Sequence, residues 1–181
     1  AHTSLFELAC ATELFLLPRP EFKSWYKGDV VSFGRSQVTA TGNLNVGVKS
    51  VTQLGGYETV VVPAWSVDES STDAKLRDAL LTHLDQGGRL ISFCSGAFLL
   101  GRIGVLDNRD ATTHWRYFDQ FIEQFPNCKA TNNVLYCFDG TVGTSAGSAA
   151  ALDLGLEIIR QDFGGETARQ VAKRLVVAPH R

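Results

Sequence analysis

Short, β-branched apolar runs that alternate with amphipathic helical runs predict an α/β fold, an open and mostly parallel sheet with helices on both faces. Three observations carry this. "TVVVP" (Thr59 to Pro63) and "RLISF" (Arg89 to Phe93) have the length and composition of buried strands, and each precedes a helical pattern. Glycine and proline clusters separate the runs. A length of 181 residues with 44% hydrophobic and 20% charged residues suits one domain around a single core.

The first element is a helix over "SLFELACATELFLL", with Leu5, Leu8, Ala9, Thr12 and Leu16 near one face and "PRP" stopping it; no strand is expected before it. "DVVSF" (Asp29 to Phe33) reads as a strand, and "GNLNVG" and "QLGGYE" as turns before "TVVVP". The next helix starts at Ser71 to Asp73, presents Leu76, Ala79, Leu80 and Leu84, and stops at Gly87. "RLISF" leads into a helix from Ser95 to about Arg102. After "ATT", a helix turns Trp115, Phe118, Ile122 and Phe125 inward. "VLYCFDGTVGTS" is a hairpin turning at Asp139-Gly140, and "AGSAAALDLGLEIIRQ" and "GGETARQVAKRL" are helices.

Charge and composition narrow the function. A formal charge of -2 offers no net positive field for a nucleic-acid backbone. Apolar stretches such as "VLYCF" and "AFLLG" are far shorter than the roughly 20 residues a membrane span needs, and no signal-peptide pattern opens the chain. Cys10, Cys94, Cys128 and Cys137 show neither a CxxC pair nor Cys/His ligand spacing, so no metal or other cofactor is expected and the compartment is read as the reducing cytoplasm. No Met occurs, even at position 1, and the sequence stops at "LVVAPHR", which reads as a piece of a longer protein.

Cys94 is the residue of interest. Ligands of open α/β sheets bind at the carboxyl ends of the strands, and Cys94 directly follows one. Ser92, Ser95 and Gly96 are small enough for a sharp strand-to-helix turn that projects the thiol. Amides at the start of the next helix would lower the thiol pKa and make Cys94 the most reactive of the four cysteines. The plain alternative is a packed core thiol.

"RLISFCSGAFLLGRIGVLDNRDATTHWRYFDQF" closely resembles the cysteine segment of PfpI-type, class I glutamine-amidotransferase-like domains, in the version fused to AraC-type transcriptional regulators. "SLFELACATELFLLPRPE", "TVVVPAW" and "TSAGSAAALDLGLEIIRQDFGGETARQVAKRLVVAPHR" are similar to that family's first helix, pocket strand and closing helices. The resemblance implies a flavodoxin-like fold, which normally opens with a strand that this sequence lacks. It implies a sensor domain over residues 1–176, and in 177–181 the start of a linker to a C-terminal helix-turn-helix domain that alone would touch DNA. A small-molecule effector, an amine or amino-acid derivative, and a homodimer are the expected partners, with no membrane. The rival reading is a cysteine-dependent enzyme, such as an isonitrile hydratase or hydrolase. By the same resemblance Glu7, Cys94 and Ser95 would be its acid, nucleophile and hydroxyl, the amides of Ser95 and of Ala64-Trp65 its oxyanion hole, and His114 a candidate base. Hydrolase relatives carry glycines after the pocket strand and a histidine after the cysteine, where this sequence has Ala64-Trp65 and Ser95. Ligand-binding candidates are therefore Glu7, Ala64, Trp65, Cys94, Ser95 and His114.

The remaining conspicuous residues have structural explanations. Cys10 and Cys137 read as packing residues and Cys128 as a surface-loop thiol without a resolving partner. His83, His2 and His180 read as solvated, Trp115 as core and Trp65 as a pocket residue. Asp68, Glu69 and Asp73 form a solvated helix start, and Arg169, Lys173 and Arg174 complement a helix C-terminus.

Overall fold

The computed structural model of the chain describes residues 2–177. In order, the elements are β1 (His2–Thr3), α1 (Leu5–Ala11) running into a π-helical turn (Thr12–Leu16), β2 (Val31–Phe33), β3 (Gln37–Ala40), β4 (Leu44–Gly47), β5 (Lys49–Val51), β6 (Thr59–Val62), α2 (Ala74–Asp85), β7 (Arg89–Phe93), α3 (Ala97–Arg102), β8 (Asp110–Ala111), α4 (Phe118–Gln124), β9 (Lys129–Ala130), β10 (Tyr136–Phe138), β11 (Val142–Ser145), α5 (Ala150–Phe163) and α6 (Gly165–Arg174). The central sheet has the order β10-β11-β7-β6. β7 lies parallel to both β6 and β11, and β10 is antiparallel at the edge. Smaller sheets β1-β3-β4, β2-β5 and β8-β9 flank it.

β7 is buried on both faces, so it reads as a continuous apolar run. Leu90 packs into the core that includes Leu80, Phe98, Leu99, Leu100 and Phe121. Ile91 and Phe93 pack into the opposite core with Leu14, Leu154, Ile158 and Val171. Helices thus cover both faces, as expected of a flavodoxin-like fold. Asp73 caps α2 by accepting from the amides of Lys75 (2.9 Å) and Leu76 (3.1 Å). Asp139 accepts from Thr141 and Val142 in the β10–β11 turn, and Gly140 supplies its positive φ.

Several expectations are corrected. A short strand does precede the first helix: His2–Thr3 pairs in parallel with β3. "GNLNVG" is not only a turn, because Leu44–Gly47 pairs antiparallel with β3 and places the turn at Thr41–Asn43. The buried face of α1 is Glu7, Cys10, Leu14 and Phe15, whereas Leu5 (36%) and Phe6 (54%) are exposed. Glu7, Cys10 and Leu14 form an i, i+3, i+7 stripe, and the wide π turn brings Phe15 in beside Leu14. Leu14 sits directly over Gly155 of α5, where an added Cβ would come within 2.3 Å of its Cδ1.

Trp115 is exposed (76%) and Ile122 outward, because the stripe that packs inward is Phe118, Phe121 and Phe125. His83 is buried rather than solvated, with Nε2 3.1 Å from the Arg89 carbonyl and the ring against Gly88. Of the expected linker, residues 178–181 lie outside the described residues, and so does His180.

Candidate functional site

Cys94 follows β7 with φ 52°, a conformation that costs a non-glycine residue on the order of 1–3 kcal/mol. Its neighbours hold it there. The Thr113 hydroxyl donates to the Cys94 carbonyl at 2.9 Å. Gly96 lets the turn approach β6 closely, since a Cβ there would lie 2.4 Å from the Val62 carbonyl oxygen. Gly147, at φ 82°, presses against the thiol itself: a Cβ would fall 2.5 Å from Cys94 Cβ and 2.9 Å from Sγ. The elbow is thus clasped by the turn between β11 and α5.

Glu7 is 4% exposed and lies on the same side of that turn. Its Oε1 accepts the Ser148 amide at 3.0 Å across 141 residues of sequence, its Oε2 accepts the Ser4 hydroxyl, and its side chain is hydrogen-bonded to the Cys94 thiol. Ser148 itself holds φ 49°. One carboxyl therefore ties together the start of α1, the elbow and the approach to α5.

The expected lowering of the thiol pKa is overturned. Burial and then the Glu7 charge push Cys94 up to about 12, and the Ser95 amide that hydrogen-bonds the sulfur only partly opposes them. Only a short 3₁₀ turn (Cys94–Gly96) and a six-residue helix follow, so little helix dipole bears on the sulfur. Cys94 is not the most acidic thiol, since Cys10 and Cys128 rise only to about 11.

The other candidates are distributed around this centre. Ser95 is buried, and its hydroxyl accepts the Trp65 amide at 3.2 Å. The Trp65 amide is thereby engaged, so this one donor of the expected oxyanion hole is occupied within the chain. Ala64 and Trp65 are half-buried on the loop after β6, and the Trp65 ring packs on the α2–α4 core. Arg102, not singled out from sequence, anchors that loop by donating to the carbonyls of Ser66 (2.8 Å) and Val67 (2.7 Å). His114 caps the Trp115–Tyr117 turn, its Nδ1 accepting the Arg116 amide at 3.3 Å. Its neighbour Thr113 is the residue that reaches the elbow. Ser4, Thr113, Gly147 and Ser148 were also missed; the small-residue run "SAGSAA" before α5 is the signal that marks the last two. Among the described residues, no group of three or more His, Cys, Asp or Glu side chains is arranged to hold a metal ion.

The model of the DJ-1/PfpI family matches residues 15–161. The chain belongs to the DJ-1/PfpI family. The HTH-type transcriptional regulator GlxA of Rhizobium meliloti is 31% identical over 141 residues, covering 77% of this chain and 43% of that protein. The HTH-type transcriptional regulator ArgR of Pseudomonas aeruginosa is 38% identical over 91 residues, 50% of this chain and 27% of that protein. An isonitrile hydratase of Pseudomonas putida is 30% identical over 107 residues, 59% of this chain and 46% of that enzyme. The chain thus spans less than half the length of these relatives. Among solved structures, an AraC family transcriptional regulator from Pseudomonas putida superposes with TM-score 0.85 at 20% identity, covering 96% of this chain and 94% of that one. Drosophila melanogaster DJ-1beta superposes with TM-score 0.81 at 21% identity, covering 98% and 97%. At these identities the superpositions speak for the fold.

Proposed function

We propose that residues 1–176 of this DJ-1/PfpI chain form the ligand-sensing, self-associating domain of an AraC-type helix-turn-helix regulator in the cytoplasm. In this reading a separate DNA-binding domain follows residues 177–181. The observation that carries the reading is Glu7, whose carboxyl bonds Ser4, the Cys94 thiol and Ser148 at the entry to α5. The effector is a small amine or amino-acid derivative. Its ammonium group makes a charge-assisted bond to Glu7 stronger than those of the neutral hydroxyl and amide it displaces. Displacing the Ser148 amide frees the turn that starts α5, and α5 packs on α6, so occupancy at Cys94 is passed toward the C-terminal helices. Trp65, Ala64, Ser95 and His114 shape the approach.

The similarity to an isonitrile hydratase and the strained elbow favour a second reading, thiol-dependent catalysis. A thiol pushed up to about 12 opposes it, because the thiolate is scarce near neutral pH. Thermal-shift screening of amines and amino-acid derivatives separates the two. The sensor reading expects a hit that raises the unfolding midpoint and is weakened in Glu7→Gln. Isonitrile hydration lost in Cys94→Ala would replace it with the enzyme. Self-association is tested by sedimentation at tens of micromolar, where a species of 19.7 kDa alone would count against the dimer.

A further inference from the structure

The loop that follows β6 is held at two points by the segment that begins at the elbow. Near the loop's start, the Trp65 amide donates to the Ser95 hydroxyl at 3.2 Å, on the 3₁₀ turn that leads into α3. At the far end of α3, Arg102 donates through Nη1 to the Ser66 carbonyl at 2.8 Å and through Nη2 to the Val67 carbonyl at 2.7 Å. The guanidinium is planar and rigid, so gripping two successive carbonyls fixes the orientation of both peptide planes. It is itself held in place: its Cζ lies 5.6 Å from the centroid of the Phe98 ring one turn back on α3, and Nη2 also donates to Gln124 Oε1 at 3.2 Å. The Val67 carbonyl further receives the side-chain amides of Gln120 at 3.3 Å and Gln124 at 3.2 Å from α4. A carbonyl has two lone pairs for these three donors, and the charged donor at the shortest distance holds it most strongly.

We infer that Arg102 is a positioning residue for the Cys94 site: acting through this loop, it holds Ser66 and Val67 in the register that keeps the Trp65 amide on the Ser95 hydroxyl. Ser95 directly follows Cys94, so the grip of Arg102 governs whether that amide is offered to an oxygen atom bound beside the thiol. While both carbonyls are held, the amide stays with Ser95. A ligand carbonyl or carboxylate can take it only if the loop turns at Trp65 against the hold of the guanidinium. Lysine is no substitute, because a single ammonium lacks the fork that spans two carbonyls in a fixed geometry. The inference concerns the pocket loop alone and holds whether the site senses a ligand or turns one over.

Amide-proton NMR of the whole chain, comparing Arg102→Met and Ser95→Ala with the wild type, tests it. Arg102→Met keeps an unbranched stem against Phe98 and removes the fork. The Trp65 amide proton is expected to move upfield in both variants, as a bonded proton does on losing its acceptor, and to exchange roughly fivefold faster, with the β6 and α2 resonances in place. In the double variant Trp65 should exchange no faster than in Ser95→Ala alone, because both changes remove the same bond. Arg102→Lys should fall between the wild type and Arg102→Met. Gln120→Ala, which removes only a longer bond to Val67, should leave Trp65 where it is. A Trp65 amide unmoved in Arg102→Met, an equal disturbance across β6 and α2, full rescue by lysine, or an effect of Gln120→Ala as large as that of Arg102→Met would each overturn the assignment. Should Arg102→Met fail to fold, Arg102→Lys decides by the same comparison: a Trp65 amide identical to the wild type contradicts it.

Discussion

Ionising Cys94 works against burial first and the Glu7 charge second, with one amide in its favour. Glu7→Gln removes the charge and keeps the size. Alkylation of Cys94 by iodoacetamide should then be faster at a fixed alkaline pH, with an apparent pKa below about 12 but still above the 9.0 of an ordinary thiol, because burial remains. A pH profile of labelling in the two proteins checks this; an unchanged or upward-shifted profile would remove Glu7 from the account. Gly147 gives a second prediction at this scale. Gly147→Ala meets both a positive φ and a Cβ 2.5 Å from that of Cys94, so it should destabilise by roughly 2–4 kcal/mol in chemical denaturation. A loss under about 1 kcal/mol would mean the turn stands clear of the elbow.

The packing of α1 on α5 depends on a missing side chain. Gly155→Ala should gain about 1 kcal/mol of helix propensity, but its Cβ would lie 2.3 Å from Leu14 Cδ1, and overpacking of this kind costs more. Net destabilisation is expected, with Leu14→Ala restoring part of it in the double variant. Additive losses in that cycle would show that the two residues do not share the contact. This element also marks where sequence stops being informative. β6, β7, α2, the β10–β11 hairpin, α5 and α6 were legible because each carries its own periodicity, cap or turn residue. The face of α1 was not: the most hydrophobic stripe is partly exposed, and the buried stripe includes Glu7, whose partner Ser148 stands 141 residues away. The Cys94 elbow was legible in "SFCSG", but its electrostatic sign was not, because burial and Glu7 act only in the folded chain. Trp115 misled for a related reason, since its helical spacing to Phe118 and Ile122 does not identify which stripe faces the core.

Over the whole molecule, all four thiols, Cys137 included, are held above their ordinary range, mainly by burial. Cys94 is raised to about 12 and Cys10 and Cys128 to about 11, from 9.0. A thiol raised on folding favours the native state while it stays protonated, so this stability is complete below pH about 9 and is lost as pH rises toward 11 and 12. Urea unfolding midpoints should therefore fall from pH 9 upward, and less steeply in Cys94→Ala. Equal slopes for the two proteins would place the alkaline sensitivity elsewhere. The central claim is that the elbow is mechanically linked through Glu7 to α5. The amides of Ala150, Ala151 and Leu152 bond to the carbonyls of Gly147, Ser148 and Ala149, so α5 begins on the turn that Glu7 holds. Amide hydrogen exchange of Glu7→Leu, under conditions where thermal unfolding confirms a folded protein, tests this most directly. The account predicts faster exchange at Ser148 and through Leu152 with α2 unchanged, whereas unchanged exchange over residues 148–152 would contradict it.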